Sequence, residues 1–322
     1  RDWSSDVCSS DLRVTEATAL AAYTWLGRGN KNAADEAAVK AMRYMLNLIH
    51  MDGEIVIGEG EIDEAPMLYI GEKVGSGNGE LVSIAVDPID GTRMTSMGQS
   101  NAISVLAAGG KRTFLKAPDM YMEKLCVGPR AKGVIDLNES MTENLRRVAA
   151  KMERAIDDLT VVMLDRERHQ GLMDECRAVG ARIRLITDGD VNPAMECGLE
   201  GSGIHMVVGT GGAPEGVLAA AALKCTGGDM QARLKPATDE EIRRCHEMGI
   251  TDLNKVLTID DLVSGDDVIF SATAITEGNV LSSIKYFPGG ARTHSVVMRY
   301  KTGTVRFVDT IHRLDKKLSM KV

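Results

Sequence analysis

The chain has 322 residues, of which 44% are hydrophobic and 4% aromatic, and a net charge of −8 at pH 7. This length is enough for a sizeable core in about two domains. The acidic balance argues against nucleic acid or an anionic membrane as a partner, and no apolar run approaches the roughly 18 residues that span a bilayer.

Cysteine and histidine usage narrows the chemistry further. The six cysteines form no C-x-x-C pair and the six histidines show no zinc spacing, so we expect reduced thiols in a cytoplasm and no zinc site. Carboxylates are then the best-organised ligands, and they favour hard cations such as Mg²⁺ or Mn²⁺.

The N-terminal region predicts two helices. Residues 1–12 are rich in Ser and Asp, and we interpret them as a non-native leader and leave them out of the fold prediction. Helical spacing begins at Val14, and a second helix is predicted over residues 33–49. Asp35 would then lie in its first turn, where an acid is more often a helix-terminal charge than a ligand.

A glycine-flanked acid follows the first predicted strand. The strand covers residues 54–57, and Glu59 stands between two glycines that let its carboxylate approach a metal closely. For the next acids, Glu61, Asp63 and Glu64, we favour an irregular loop exposed to solvent.

The central motif is the segment 87–92, with the sequence DPIDGT. An apolar strand precedes it, and we expect the strand to end at about Asp87 because Pro88 cannot donate to a sheet. Asp87 and Asp90 can then turn to one side and share a divalent cation, while Thr92 offers a hydroxyl to a water or a phosphoryl oxygen. An ordinary strand followed by an Asp-Gly turn explains the motif alone equally well.

The second half of the chain alternates strands and helices, which is typical of α/β layers. The candidate domain boundary is at residues 155–158. Arg166 and Arg168 follow the strand predicted over residues 160–164, where a phosphate could be gripped, although a solvated surface is an equal alternative. The glycine-rich segment 209–216 leads into a helix with Glu215 in its first turn.

Six separated segments, taken together, identify a family. They are residues 31–35 (KNAAD), 55–68 (IVIGEGEIDEAPML), 84–93 (IAVDPIDGTR), 117–124 (APDMYMEK), 188–190 (DGD) and 211–216 (GGAPEG). In this order they resemble the class II (GlpX-type) fructose-1,6-bisphosphatases of the inositol monophosphatase and fructose bisphosphatase superfamily. The resemblance implies an α/β fold, a layered α/β/α/β/α sandwich with a metal-binding phosphatase domain (13–157) and a substrate-binding domain (158–322).

The resemblance also implies residue roles. The metal positions of the family correspond to Asp35, Glu59, Asp87, Asp90 and Glu215. Thr92, with Asp35 or Glu59, would orient the attacking water and take its proton. The substrate contacts of the family correspond to Asp90, Gly91, Thr92, Tyr121, Arg166, Arg168, Asp188, Gly189, Asp190 and Gly212. Some relatives have Glu where this chain has Asp90.

The activity implied is hydrolysis of fructose-1,6-bisphosphate to fructose 6-phosphate and phosphate, a step of gluconeogenesis, with two or more Mg²⁺ or Mn²⁺ ions. The enzyme would be a cytoplasmic homo-oligomer, a dimer or a tetramer. One alternative is a bifunctional enzyme that also takes sedoheptulose-1,7-bisphosphate. Another is a phosphatase of inositol or other sugar monophosphates, which would not need Arg166 and Arg168. A non-catalytic sensor is disfavoured, since the hydroxyl and every candidate ligand are present.

Overall fold

A computed structural model describes residues 3–60 and 67–314, with side chains from residue 11 onward. The chain divides into two compact units. The first unit combines Arg1–Lys111 with Asp267–Val322, and the second is Arg112–Asp266.

The described elements follow in chain order. The first unit opens with α1 (Trp3–Tyr23), α2 (Lys31–Leu46), β1 (Asp52–Ile57), β2 (Lys73–Val74), β3 (Leu81–Asp90), α3 (Thr92–Met97) and β4 (Ile103–Gly110). The second unit contains β5 (Tyr121–Val127), α4 (Met141–Met152), β6 (Thr160–Leu164), α5 (Gln170–Ala178), β7 (Arg182–Ile186), α6 (Val191–Gly198), β8 (Met206–Gly212), α7 (Ala213–Thr226), β9 (Asp229–Leu234), α8 (Asp239–Glu247), β10 (Leu257–Thr258) and α9 (Ile259–Leu262). The chain returns to the first unit with β11 (Val268–Ala274), β12 (Lys285–Phe287), β13 (Gly290–Arg299) and β14 (Thr304–Arg313).

The sheet of the first unit has the order β12-β13-β11-β4-β3-β1-β2, with β14 also paired to β13. β1 and β3 are parallel, so their carboxyl ends meet at one edge of the sheet. Helix α1 packs on β4 and β11, and α2 packs on α1. The buried apolar residues between them, such as Met42, Leu106 and Ile269, form the core of this unit.

The end of β3 differs from the prediction. We expected the strand to end at about Asp87, but it continues to Asp90, and its pairing with β4 shifts register between these two residues. The shift has a physical cause in Pro88, which has no N–H to donate to β4.

The sheet of the second unit has the order β10-β9-β5-β8-β6-β7. β6 is parallel to both β7 and β8, whereas β5 is antiparallel to β8. Alternation along β5 separates its two faces: Leu125 and Val127 join the core formed with α4 and α5, and Met122 lies next to Gly216 of α7. Helices therefore cover both faces of this sheet.

The predicted α/β class is confirmed by these two mixed sheets and their helices. The compact units, however, do not coincide with the division that we predicted at residue 157. Residues 121–127 pair with β8 and β9 of the second unit, and residues 268–274 pair with β4 of the first. Such pairings join residues far apart in the chain, so local composition carries no sign of them.

The predicted leader also adjoins the fold. Helix α1 begins at Trp3 and therefore includes residues 3–12 of that leader. The non-native origin of the leader stays a prediction. The described cysteine side chains form no disulfide; these residues are Cys126, Cys176, Cys197, Cys225 and Cys245. No described helix combines the length and the apolar character needed to cross a membrane.

Candidate active site

Asp35 is the first candidate ligand of the first unit. It lies in the second turn of α2 rather than the predicted first turn, because the Asn30 side chain caps the Ala33 N–H at 3.1 Å and the helix begins at Lys31. Burial raises the pKa of Asp35, and a side-chain hydrogen bond with Glu59 partly offsets that rise. A hydrogen bond between two carboxyl groups requires a proton on one of them. A cation could replace that proton and bind both carboxylates.

Glu59 reaches Asp35 from the carboxyl end of β1. Its backbone N–H donates to the Leu68 carbonyl oxygen at 3.0 Å, and a Cβ at Gly58 would overlap that same oxygen. The glycine therefore allows two backbone segments to approach closely beside the carboxylate. The acids Glu61, Asp63 and Glu64, which we assigned to a solvated loop, lie outside the described residues.

The segment 87–92 folds into a tight turn at the end of β3. Asp87 Oδ1 accepts the Ile89 N–H at 3.0 Å, and the Thr92 hydroxyl donates to the Ile89 carbonyl oxygen at 3.3 Å. Asp90 is 2% exposed. Gly91 has a φ of +101°, which residues other than glycine rarely adopt, and a Cβ at this position would overlap Met94. The turn thus holds two carboxylates and a hydroxyl at one strand end.

These oxygen donors suit a hard cation. The parallel register that pairs Ile57 with Ala85 brings Glu59 and Asp87 to the same edge of the sheet. In residues 3–60 and 67–314, no three His, Cys, Asp or Glu side chains stand close enough to hold an ion. Asp35 and Glu59 are nevertheless hydrogen-bonded to each other, and a divalent cation could bind between these two carboxylates.

The second unit supplies the cationic candidates at the carboxyl end of β6. Arg166 donates from Nη1 to the Asp165 carbonyl oxygen at 2.9 Å and from Nη2 to the Thr187 carbonyl oxygen at 2.8 Å. It therefore joins the segments that follow β6 and β7.

Arg168 meets Tyr121 at the same edge of the sheet. Its guanidinium donates to the Thr210 carbonyl oxygen at 3.2 and 2.7 Å and lies 4.8 Å above the Tyr121 ring centre. A cation held over an aromatic face is pre-oriented for an anion. The structure thus brings together two residues that we had predicted separately as substrate contacts.

His169 follows Arg168 in the chain and was not predicted as a site residue. Its Nδ1 donates to the Leu164 carbonyl oxygen at 2.8 Å, and its Nε2 accepts the Thr210 N–H at 2.8 Å. Burial lowers its pKa, and Arg168 and Arg166 add to that effect. His169 is therefore a neutral brace between the ends of β6 and β8.

Lys124 was also missed as a site residue. It is buried, with Nζ 2.5 Å from Asp190 Oδ2 and 3.0 Å from the Gly212 carbonyl oxygen. Burial lowers its pKa, but Asp190 and Glu215 together outweigh burial and the pKa rises. The alternation of β5 was the available signal, since it turns a charged residue toward a helix-covered face.

Glu215 lies in the first turn of α7, as predicted. Burial raises its pKa, the Lys124 charge opposes that rise, and its Oε2 atom is buried without a hydrogen-bond partner. An orphaned carboxylate oxygen is a donor that a cation could satisfy. The glycine-rich segment 209–216 leads directly from β8 into α7, which begins at Ala213.

The glycines here make room for carboxylates. A Cβ at Gly211 would overlap Asp190, and a Cβ at Gly212 would overlap Glu215. Asp188 is half-buried, and Gly189, with a φ of +68°, follows it in the turn after β7.

The predicted site residues thus fall into two groups. Asp35, Glu59, Asp87, Asp90, Gly91 and Thr92 belong to the first unit, whereas Tyr121, Arg166, Arg168, Asp188, Gly189, Asp190, Gly212 and Glu215 belong to the second. The first group consists mainly of oxygen donors, whereas the second combines two arginines and a tyrosine with carboxylates and glycines.

The chain is similar to known proteins over nearly its whole length. Residues 6–312 match the family model described as bacterial fructose-1,6-bisphosphatase, glpX-encoded. The chain is 58% identical over 316 residues to a Haemophilus influenzae protein named fructose-1,6-bisphosphatase class 2, covering 94% of this chain and 95% of that protein. It is 52% identical over 318 residues to fructose-1,6-bisphosphatase 1 class 2 of Escherichia coli, covering 95% of this chain and 94% of that protein.

Proposed function

The chain belongs to the bacterial glpX-encoded fructose-1,6-bisphosphatase family, and on that premise we propose that it hydrolyses fructose-1,6-bisphosphate to fructose 6-phosphate and phosphate. Within the structure, the pair of arginines at the end of β6 carries the proposal. Arg166 and Arg168 are both anchored to backbone carbonyl oxygens, so their guanidinium groups are held in place before a ligand arrives.

Guanidinium groups that are already held in place suit a phosphate that is bound but not hydrolysed. Arg presents several donors in a rigid fork, which matches phosphate oxygens. A bisphosphate has one reacting phosphate and one distal phosphate, and only the distal one needs a permanent grip. We assign that grip to Arg166 and Arg168, with Tyr121 holding the Arg168 guanidinium over its ring.

The carboxylates of the first unit are assigned the reacting phosphate. Asp35, Glu59, Asp87 and Asp90 would hold Mg²⁺ or Mn²⁺ ions, two or more in the whole protein. Glu215, in the second unit, is assigned as a further metal ligand. Such ions, when bound, neutralise phosphoryl oxygens and acidify water near them. The carboxylates contribute oxygen ligands to the ions. Without the ions, their negative charge would repel a sugar phosphate.

Thr92 is assigned the orientation of the attacking water. It is the hydroxyl of the segment 87–92, and its bond to the Ile89 carbonyl oxygen is long, at 3.3 Å. A weakly engaged hydroxyl can turn to a water without a large loss. The proton released by that water would pass to Asp35 or Glu59, which already share a hydrogen bond. Asp90, Gly91, Asp188, Gly189, Asp190 and Gly212 are assigned sugar and phosphate contacts.

The proposal extends to context. We assign the protein to the cytoplasm, where buried free thiols stay reduced. A homo-oligomer, dimer or tetramer, is supported by large apolar residues exposed on β12 and β14, namely Tyr286, Phe287, Phe307 and Ile311. Light scattering would give the mass, and a monomeric mass would contradict the assignment.

Phosphate release tests the activity. The EDTA-treated protein is supplied with Mn²⁺ or Mg²⁺ and with fructose-1,6-bisphosphate, sedoheptulose-1,7-bisphosphate or inositol 1-phosphate. We expect cation-dependent release, with the highest kcat/KM on fructose-1,6-bisphosphate. Comparable use of the seven-carbon bisphosphate would indicate the bifunctional alternative. A preference for inositol 1-phosphate would contradict the role given to the arginines.

A further inference from the structure

A cavity lies within the second unit, at the end of its sheet opposite to Arg166 and Arg168. It has a volume of about 520 Å³ and is lined by residues around the amino ends of β6 and β8, among them Thr160 and His205. The arginines of the candidate active site follow the carboxyl end of β6. Thr160 and Leu164 are four residues apart on that strand, which is about 13 Å of extended backbone.

Positive charge converges on this cavity. Arg130, Arg154 and Arg182 line it, together with the carboxylates Asp158 and Glu200. Arg182 is engaged by Asp158, with a bond of 2.9 Å to Oδ1. No ion pair joins Arg130 or Arg154 to a carboxylate in the part of the chain that the structure describes.

The hydrogen bonds of His205 show where an acceptor is required. The Thr160 N–H donates to His205 Nδ1 at 2.9 Å, so a neutral ring carries its proton on Nε2. Arg154 Nη1 lies 3.4 Å from that same Nε2. Both groups are then N–H donors directed at one another, and neither can accept.

A single anionic oxygen placed against both donors would satisfy them together. The ring stays in that neutral form because its pKa is lowered. Burial is the largest cause of the lowering, the charges of Arg154, Arg182 and Arg130 add to it, and the charge of Asp158 opposes it. The donors therefore form one receptor for an anion rather than a set of unrelated surface charges.

The size and the walls of the cavity define the rest of the ligand. A volume of about 520 Å³ exceeds what inorganic phosphate fills and lies in the range of sites for small organic molecules. Met152, Leu199 and Ile204 give the lining an apolar part. The guanidinium groups of Arg130 and Arg154 and the imidazole N–H of His205 also offer more donors than the two oxygens of a carboxylate can use, whereas a phosphate monoester has three free oxygens.

We propose that this cavity, lined by Arg130, Arg154, Arg182 and His205, is a second binding site for a small phosphate monoester, separate from the candidate active site. The phosphate lies against Arg154, Arg130 and His205, and the organic part lies against the apolar lining. The inference does not depend on the activity proposed above.

The test uses phenylphosphonate, which has a phosphate-like head, an apolar body and no ester bond to hydrolyse. Its binding to the full-length protein in EDTA is measured by titration calorimetry. The test variant is Arg130→Gln with Arg154→Gln. The matched control is Arg146→Gln with Arg177→Gln, which makes the same charge change at arginines that do not line the cavity. A third variant, Arg166→Ala with Arg168→Ala, removes the phosphate grip of the candidate active site.

We expect phenylphosphonate affinity to fall at least about tenfold in the test variant and to change less than about twofold in the matched control. One bound molecule per chain should persist in the Arg166/Arg168 variant. Benzyl alcohol, which lacks the charge, should give no measurable binding.

Four results would overturn the proposal: no binding to the parent at millimolar concentration, equal binding in the test and control variants, loss only in the Arg166/Arg168 variant, or equal binding of benzyl alcohol. If the double variant did not fold, Arg130→Gln alone would decide. It should weaken binding by at least about threefold, and parental affinity would count against the site.

Discussion

Both units bury carboxylates, but they stabilise them in different ways. In the first unit Asp35 is hydrogen-bonded to another acid, Glu59. In the second, Asp190 and Glu215 surround a buried lysine, Lys124. We expect the charge of Asp35 and Glu59 to be balanced by a cation from solution, whereas Asp190 and Glu215 already face the Lys124 ammonium. The first pair should therefore depend on bound metal, and the second pair should depend also on Lys124.

The largest expected effect lies in the first group and separates metal binding from chemistry. We expect Asp87→Asn to abolish turnover at low Mn²⁺, and we expect added Mn²⁺ to restore part of it, because a neutral amide is a weaker cation ligand. Thr92→Ala should lower turnover about 10²–10⁴-fold at every Mn²⁺ concentration, since it removes the hydroxyl and no carboxylate.

Turnover against Mn²⁺ concentration distinguishes these two variants. Thr92→Ser is the matched control, because it restores the oxygen and should recover part of the rate. If Mn²⁺ rescued Thr92→Ala, or if that variant kept parental turnover, Thr92 would serve only the turn at the end of β3.

The next largest effects are changes in the free energy of unfolding in EDTA, and we expect two substitutions to change it in opposite directions. Lys124→Met leaves Asp190 buried without its partner and should cost about 3–5 kcal/mol in the free energy of unfolding. Asp35→Asn should stabilise the same metal-free protein, because it removes an acid whose pKa is raised by burial.

Urea unfolding measures both changes, with Lys132→Met as the control because Lys132 is exposed on the same unit as Lys124. The control should stay within about 0.5 kcal/mol of the parent. Shifts of the same sign in Lys124→Met and Asp35→Asn would contradict the contrast between the two groups.

The smallest effect concerns Asp11, a buried acid outside both groups, and shows what burial alone does. Burial raises its pKa from 3.8 to about 8, and its Oδ2 atom has no hydrogen-bond partner. The folded protein therefore retains a proton that the unfolded chain releases. The contribution of Asp11 to stability is full below pH 4 and is lost as the pH rises from 4 to 8.

Asp11→Asn should flatten that decline, most visibly in melting temperatures measured from pH 5 to pH 9. Parallel pH profiles of the parent and the variant would show that Asp11 titrates normally. Asp136→Asn is a suitable control, because Asp136 belongs to the second unit and accepts the Asn138 N–H at 2.9 Å.

Local signals predicted much of the fold. The strand over residues 160–164 has the predicted bounds, because an apolar run of that length between helical segments allows few other structures. The start of α2 was misplaced by two residues because the capping bond of Asn30 depends on backbone geometry that the sequence does not display.

The missed parts of the site depend on distant pairing. Lys124 acquires its role only when β5 is placed beside β8 and Asp190 is brought to it from the turn after β7. His169 becomes a brace only when β6 and β8 lie together. A carboxylate motif such as the segment 87–92 can be recognised because its residues are neighbours in the chain. The contacts of His169 with Thr210 and of Lys124 with Asp190 join residues 41 and 66 positions apart (210 − 169 and 190 − 124).

The central claim is that the second unit selects a bisphosphate while the first unit supplies the chemistry. Its most direct test is kcat/KM on fructose-1,6-bisphosphate and on fructose 1-phosphate, measured with Mn²⁺ for Arg166→Ala with Arg168→Ala. Arg146→Ala with Arg177→Ala serves as the charge-matched control. Loss of two charge-assisted contacts should lower kcat/KM about 10²-fold or more on the bisphosphate and less than about threefold on the monophosphate. Equal loss on both substrates would contradict the claim.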